Sequence, residues 1–372
     1  MKRPKATNFS SLLTIASLIA IGTIAARSRQ TTALAAEHSL NAPAHTIITF
    51  DAPGAGTGKG QGTAATVVTD DRSIAGWYLD SQSVKHGFFR AHGGAFATFD
   101  PPASTWTSPQ GMSAKLAIVG YYSDSNNVSH GFLRAPQGKI NTFDFPDAGT
   151  ASGQGTFAGS ININGGIVGY YIDSNNVFHG FLRTPDGKFT GFDAPDAGTG
   201  FLQGTQPAST EGLTDLGAIA GTFYDSNNNA RGFVRDPRGT FTNIDIASSF
   251  GTYVAGINAK NTVTGQYVSS DFFGFVRTPT GKITSFDVEA GTPEFSVATI
   301  NTAGAVAGWY VDSDSTWQAY VRESNGQITK FSVESAGTGS GKGTLPHANN
   351  STGAITGYYA DPNGVIHGFL RE

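Results

Sequence analysis

The chain contains no cysteine, and that absence alone removes disulfide bonds, thiolate zinc sites and a lipid-modified N-terminal cysteine. Stability has to come from packing. Charge is scarce as well: Asp, Glu, Lys and Arg make up 14% of the 372 residues, against about 25% in ordinary globular chains. With a formal net charge of -4 there is no basic surface to attract a nucleic-acid backbone, so nucleic acid drops out as a first choice of partner. What the chain has instead is glycine, 49 residues of it, and an apolar fraction of 38% drawn heavily from Phe, Tyr, Val and Ile. Such side chains fit pleated, packed sheets, and there are enough of them to build a core rather than a disordered chain.

At the N-terminus, Lys2, Arg3 and Lys5 precede an uncharged apolar run from Leu12 to Ala26. The run falls short of the roughly 20 residues that span a bilayer and has the flanks of an export signal, an uncleaved anchor being the alternative. Cleavage is expected either near Ala25 or, preferred, after the small-residue triplet Ala33, Leu34, Ala35. The expected division is a signal over 1–36, a linker over 37–45 and a folded domain over 46–372, secreted or extracellular with a periplasmic location as the variant.

From residue 46 onward the sequence is one unit repeated. The clearest copy, 155–193, holds four segments: TFAGSIN, GGIVGYYID, FHGFLR and KFTGFD. The second recurs as GWY at 76 and 308, GYY at 120, 169 and 357, GTF at 221 and GQY at 265, which makes seven copies. The third ends each time in an arginine: Arg90, Arg134, Arg183, Arg235, Arg277, Arg322 and Arg371. Phe99, Phe143, Phe192, Ile244, Phe286 and Phe331 close the fourth segment, nine residues after the first six arginines. Turn chemistry separates the segments, with DSNNV and TPDGK placing Asp, Asn, Pro and Gly where tight turns need them.

Four antiparallel strands per unit predict an all-β fold, a seven-bladed β-propeller. Arg371 has no fourth segment after it, whereas the domain opens on an unpaired TIITFD, Thr46–Asp51. The N-terminal strand is therefore expected to complete the last blade and close the ring, removing open sheet edges. The units also resemble the HAF-type extracellular repeat family, through HGFFR at 86–90 and HGFLR at 130, 179 and 367. Here Gly replaces the family's Ala, and the His is lost at Arg231, Phe273 and Gln318. The resemblance implies a bacterial, exported protein and no particular activity.

An Asp and a His sit six residues apart in four units: Asp80 and His86, Asp124 and His130, Asp173 and His179, Asp361 and His367. Opposed strand positions would join them, and the aspartate ending the fourth strand would add a third member, as in Asp173, His179, Asp193 or Asp361, His367, Asp51. Such triplets could hold a metal or orient a base, but a group copied into four units reads as a structural brace. The glycine-rich AGTGSGKGT at 336–344 imitates a phosphate loop without its residues in place, and its relatives at 54–63 and 147–156 mark it as the joint between units. Trp77 and Trp309 fall inside the GxY motif and are expected to be buried, which leaves Trp106 and Trp317 as the candidate ligand-stacking residues.

The expected function is a non-enzymatic binding or surface-interaction module. It would act as a monomer, without cofactor, metal, catalytic residue or membrane contact after cleavage, on an extracellular glycan or protein. The face carrying the joints, including residues 101–111 and 194–210, would do the binding. The alternative is an extracellular propeller enzyme such as a glycosidase or lyase. It would need a nonrepeated acid and base at the axis, drawn from carboxylates such as Glu211, Asp215, Glu289, Glu294 and Glu334.

Overall fold

The computed structural model describes residues 45–292 and 294–372, so the export signal and most of the linker lie outside the described residues. The 28 strands between Ile47 and Arg371 make this part of the chain all-β, with no helix among the described residues. In the first repeat the strands are Gly62–Val68, Ile74–Leu79, Lys85–Arg90 and Phe96–Phe99. The later first strands are Trp106–Met112, Gly155–Ile161, Gly204–Pro207, Gly251–Ile257, Phe295–Ile300 and Gly343–Asn349. Two segments expected to be joints are therefore partly strand: 101–111 pairs from Trp106 onward, and 194–210 pairs over Gly204–Pro207.

Hydrogen-bond paths divide the strands into sheets of 12, 12 and 4. Antiparallel pairing follows consecutive strands within each repeat, and the links between repeats are single parallel bridges: Gly62 to Ile366, Gly155 to Ser129, Gly204 to Phe178 and Gly343 to Trp317. Each bridging glycine has φ between 112° and 122°. A Cβ there would lie 1.8 to 2.1 Å from the bridged carbonyl oxygen, so only glycine lets the strand start so close to its neighbour. The N-terminal Ile47–Phe50 pairs antiparallel with the last strand, Ile47 opposite Arg371 and Phe50 opposite Gly368.

The core explains the repeated letters. Phe88, Phe132, Phe181, Phe233, Phe275, Tyr320 and Phe369, one per third strand, have no exposed surface. The glycine of each GxY lies beside this ring: a Cβ on Gly76 would sit 2.2 Å from the Ala64 oxygen and 2.9 Å from the Phe88 ring. The strand-ending arginines cover neighbouring aromatics. Arg90 lies 4.8 Å from Phe50, Arg183 4.8 Å from Phe143 and Arg371 4.7 Å from Phe331, with the hydrocarbon stems filling the space between repeats.

Six first strands carry a bulge against the second strand, whose extra residue is Thr66, Gln110, Gly159, Ala255, Ala298 or His347. The fourth repeat replaces the bulge by a longer excursion after Pro207, which bridges Glu211 to Gly256 and Leu213 to Ile219. At the far ends of the first strands, turn asparagines tie repeats together. Asn258 donates to the Asn301 carbonyl, Asn301 to Asn350 and Asn350 to Thr69, each at 2.9 Å, the last joining the seventh repeat to the first.

Deleting Thr46–Asp51 removes the partner strand of Ile366–Arg371 and the Phe50 ring under Arg90. At about 1 kcal/mol per ladder hydrogen bond and about 2 kcal/mol for the ring, the melting temperature should fall by about 10 °C or more. A calorimetric transition within a degree or two of the intact chain would show that this pairing is dispensable.

Candidate functional site

Each of the four histidines sits between two carboxylates. His179 Nδ1 lies 2.9 Å from Asp193 and its Nε2 3.8 Å from Asp173; His86 lies 2.7 Å from Asp100 and 3.5 Å from Asp80. His130 meets Asp144 at 3.0 Å and Asp124 at 3.9 Å, and His367 meets Asp51 at 3.0 Å and Asp361 at 3.9 Å. The register corrects one expectation: the residue opposite each histidine is a tyrosine, Tyr78, Tyr122, Tyr171 or Tyr359, and the rings stack at 4.9 to 5.1 Å. The first aspartate lies past the strand end and caps the turn. Asp173 Oδ1 accepts from the Asn175 and Val177 amides, both at 2.8 Å. In the fourth repeat Arg231 takes the histidine's place, 3.0 Å from Asp225 and 2.5 Å from Asp245. A guanidinium binds no metal and serves as no base at neutral pH, so the shared geometry is that of a brace. Among the described residues no group of three or more His, Asp or Glu is placed to hold a metal ion.

A cavity of about 260 Å³ opens where the ends of the first strands converge, touching Val67, Met112, Ile161, Leu213, Ile257, Ile300 and Asn349 from all seven repeats. Glu211 enters it from the fourth repeat's excursion. Burial pushes its carboxyl up to about 7 against hydrogen bonds from the Thr299 hydroxyl (2.5 Å) and the Ile300 amide (2.8 Å). Asp70 and Asp215 border the same cavity but accept amides of neighbouring turns, Ser351 at 2.9 Å and Ile163 at 3.0 Å. Glu289 lies elsewhere and pairs with Lys330 at 2.7 Å.

On the opposite side, the joints meet the turns between second and third strands. Gly60 donates to Gly364, Gly153 to Asn127 and Leu202 to Asn176, all at 2.8 Å. In three joints a glutamine just before the strand-opening glycine fastens this contact. The Oε1 atoms of Gln61, Gln154 and Gln203 accept the amides of Gly58, Ala151 and Gly200 at 2.9 to 3.0 Å, and their Nε2 atoms reach Ser81, Asn176 and Asn228 at 2.9 to 3.1 Å. In the joint before the seventh repeat this glutamine is replaced by Lys342. The amide of Gly339, which a glutamine would have bonded, is taken by the Thr316 hydroxyl at 2.8 Å. The fastening is absent, and a cavity of about 290 Å³ lies there instead, bordered by Trp317, Tyr358, Ile366, Lys59 and Lys342.

Trp317 is half-buried and edge-on to Trp309 at 6.5 Å. Burial pushes the Tyr358 hydroxyl up to about 12, and its ring stacks on His347 at 5.4 Å. His347 is held down to about 4 by burial and by Lys85. Trp106 is placed differently: Lys85 Nζ lies 4.1 Å from both its ring and that of Trp77, and Tyr121 packs on it at 5.5 Å. Its ring is therefore engaged in packing, whereas Trp317 borders open space. Sequence reasoning named Trp317 but missed Lys59, Lys342 and Tyr358; the signal for Lys342 was its place in a series of glutamines.

The brace has a pH signature. Its hydrogen bond to Asp193 raises the pKa of His179 above the ordinary 6.5, with partial burial opposing. A raised folded pKa means the stabilisation is complete below the unfolded value and is lost as pH rises through the folded one. His179→Gln should thus lower the melting temperature more at pH 5.5 than at pH 8, the acid-side loss being on the order of 1 kcal/mol. Equal losses at both values would show that the charged imidazole contributes nothing.

No family model matches the chain, and no curated protein sequence matches it. Among solved structures, virginiamycin B lyase from Staphylococcus aureus aligns with a TM-score of 0.58 and 15% identity over 88% of this chain and 99% of its own. A catalytically inactive variant of that enzyme with quinupristin gives 0.57 and 16% over 88% and 99%. A lectin from Burkholderia pseudomallei gives 0.52 and 10% over 80% of this chain and 91% of its own. At such identities the likeness extends to the fold alone, and that fold is the β-propeller.

Proposed function

We propose that the chain is an exported, seven-bladed β-propeller of the HAF-repeat type that acts as a binding module for an extracellular glycan or small ring-bearing molecule. The ring rests on the seven groups of antiparallel strands, the pairing of Ile47–Phe50 with the last strand, and the asparagine tie from Asn350 to Thr69. Export rests on the N-terminal pattern of basic residues followed by an apolar run. The observation that carries the binding reading is the cavity at Trp317 and Tyr358. It lies on the joint face, where the fastening glutamine of three sister joints is replaced, and it is bordered by aromatic side chains of the kind on which a sugar or aromatic ligand stacks. Departures from the joint pattern are where specificity resides, and of the joints without the fastening glutamine the one before the seventh repeat places a lysine beside a cavity. The solved structures of similar fold, a lectin and a lyase, support the propeller scaffold for such a site and single out no ligand.

A second reading is favoured by one observation, the near-neutral carboxyl of Glu211 in the cavity where all seven repeats converge. A carboxylic acid tuned to about 7 is suited to general acid chemistry. Its two hydrogen bonds from the sixth repeat argue for a tie between strands instead. A glycan array of the full chain separates the readings. Bound glycans should lose signal at least about tenfold on Trp317→Ala, a stacking contribution of about 1.4 kcal/mol or more. No array signal, together with glycan or ester turnover abolished by Glu211→Gln, would replace the binding module by an enzyme.

A further inference from the structure

Lys59 and Lys342 come from two different joints, the ones before the first and seventh repeats, yet border the same cavity with Trp317 and Tyr358. Among the residues bordering that cavity there is no carboxylate, and neither lysine makes an ion pair among the described residues. Among the described lysines only Lys188 and Lys330 make ion pairs, so what sets Lys59 and Lys342 apart is that two separate joints bring them to one cavity with no acidic neighbour. Lys342 stands where three sister joints have the fastening glutamine, so this joint carries a positive charge in place of that contact. The stem of Lys59 lies against Gly364, its Cγ 3.0 Å from where a Cβ would stand, which keeps the lysine beside the cavity.

We infer that this cavity binds an acidic sugar, with the carboxylate between Lys59 and Lys342 and the pyranose ring on Trp317 and Tyr358. The inference rests on the binding reading above and narrows its ligand to a hexuronate. Lysine supplies a point charge rather than a planar fork, which suits a carboxylate whose ring is oriented by stacking. The cavity, about 290 Å³, is at the low end of the roughly 300–1,000 Å³ of small-molecule pockets, so it admits a unit or two of sugar rather than a buried chain. Ordinary packing explains the lysines less well: each could have been serine or glutamine, as Ser152, Ser340 and Gln61 are at matching places in other joints.

The test is calorimetric titration of the full chain with digalacturonate, with the neutral digalactose of the same linkage and with inorganic phosphate. The acid should bind at least about tenfold more tightly than the neutral sugar at low ionic strength, and the difference should shrink in about 0.5 M salt. Lys342→Gln and Lys59→Ser introduce residues that sister joints already carry, so both variants should fold. Each should reduce affinity for the acid about fivefold or more and leave the neutral sugar unchanged. Trp317→Ala should weaken both sugars. Equal affinity for acid and neutral sugar, unmoved by the lysine variants, would overturn the acidic assignment and leave the glycan reading standing. Phosphate binding as tightly as digalacturonate would overturn the sugar part. Acid binding that survives Trp317→Ala would move the ligand off this cavity, and failure of both sugars to bind would overturn the assignment whatever the array shows.

Discussion

The contact on which the rest depends is that between the ring at the centre of each third strand and the glycine of the neighbouring GxY motif. The ring is wholly buried, and the second strand passes so close that a methyl group on Gly76 would strike both the Phe88 ring and the Ala64 carbonyl. Truncating such a ring costs about 3 to 5 kcal/mol in comparable cores. The chain meets that requirement seven times with neither cysteine nor metal-ligand clusters among the described residues. With the strands fixed at this spacing, an arginine at the end of the third strand can lie over an aromatic ring of the adjacent repeat. The guanidinium keeps its charge at the edge while its stem fills the gap.

Repetition also determines what polar groups are free to do. The aspartates that begin the turns accept two backbone amides each, and the histidines are held between carboxylates and tyrosines. In two of the three repeats that lose the histidine, Arg231 or Gln318 reaches the same capping aspartate, Asp225 at 3.0 Å or Asp312 at 2.8 Å, while in the third Phe273 keeps only the stacking, on Tyr267. Replacement of an imidazole by a guanidinium and by an amide with the bond retained is what a brace tolerates and a catalytic base does not. The chemistry open to a ligand is therefore found at departures from the repeat: Glu211 on one face, Lys342 and Lys59 on the other.

The sequence made the strand pattern legible because each motif letter answers a local demand. Glycine marks close approach, Asp-Ser-Asn-Asn marks a turn, and the phenylalanine or isoleucine nine residues after each of the first six arginines marks a strand of fixed length. It was less legible where demands compete. Residues 101–111 read as a joint because they carry two prolines at the start and a tryptophan, yet Trp106–Met112 is a first strand with Pro109 beside the bulge. The bulges themselves leave no motif, since the extra residue is Thr, Gln, Gly, Ala or His depending on the repeat. Lys342 was masked by its surroundings: within AGTGSGKGT it invites comparison with phosphate loops, whereas its meaning lies in the glutamine it replaces.

The two cavities differ in sign, and that difference follows from how each is built. Where the first strands end, the turns need acceptors for their exposed amides. Asp70, Asp215 and Glu211 supply them, and the cavity they border contains no basic side chain. Where the joints begin, three glutamines balance donors and acceptors, and a charged group enters either beside such a glutamine, as Lys59 does in the joint of Gln61, or by taking its place. Lys342 does the latter, and the Thr316 hydroxyl takes over the amide that would have been stranded. The fold thus absorbs a cation on the joint face at the expense of one fastening, while carboxylates on the other face are committed to holding turns. An anion arriving from solution meets carboxylates committed to turns at the converging strand ends, and two lysines with no acidic neighbour in the cavity beside Trp317.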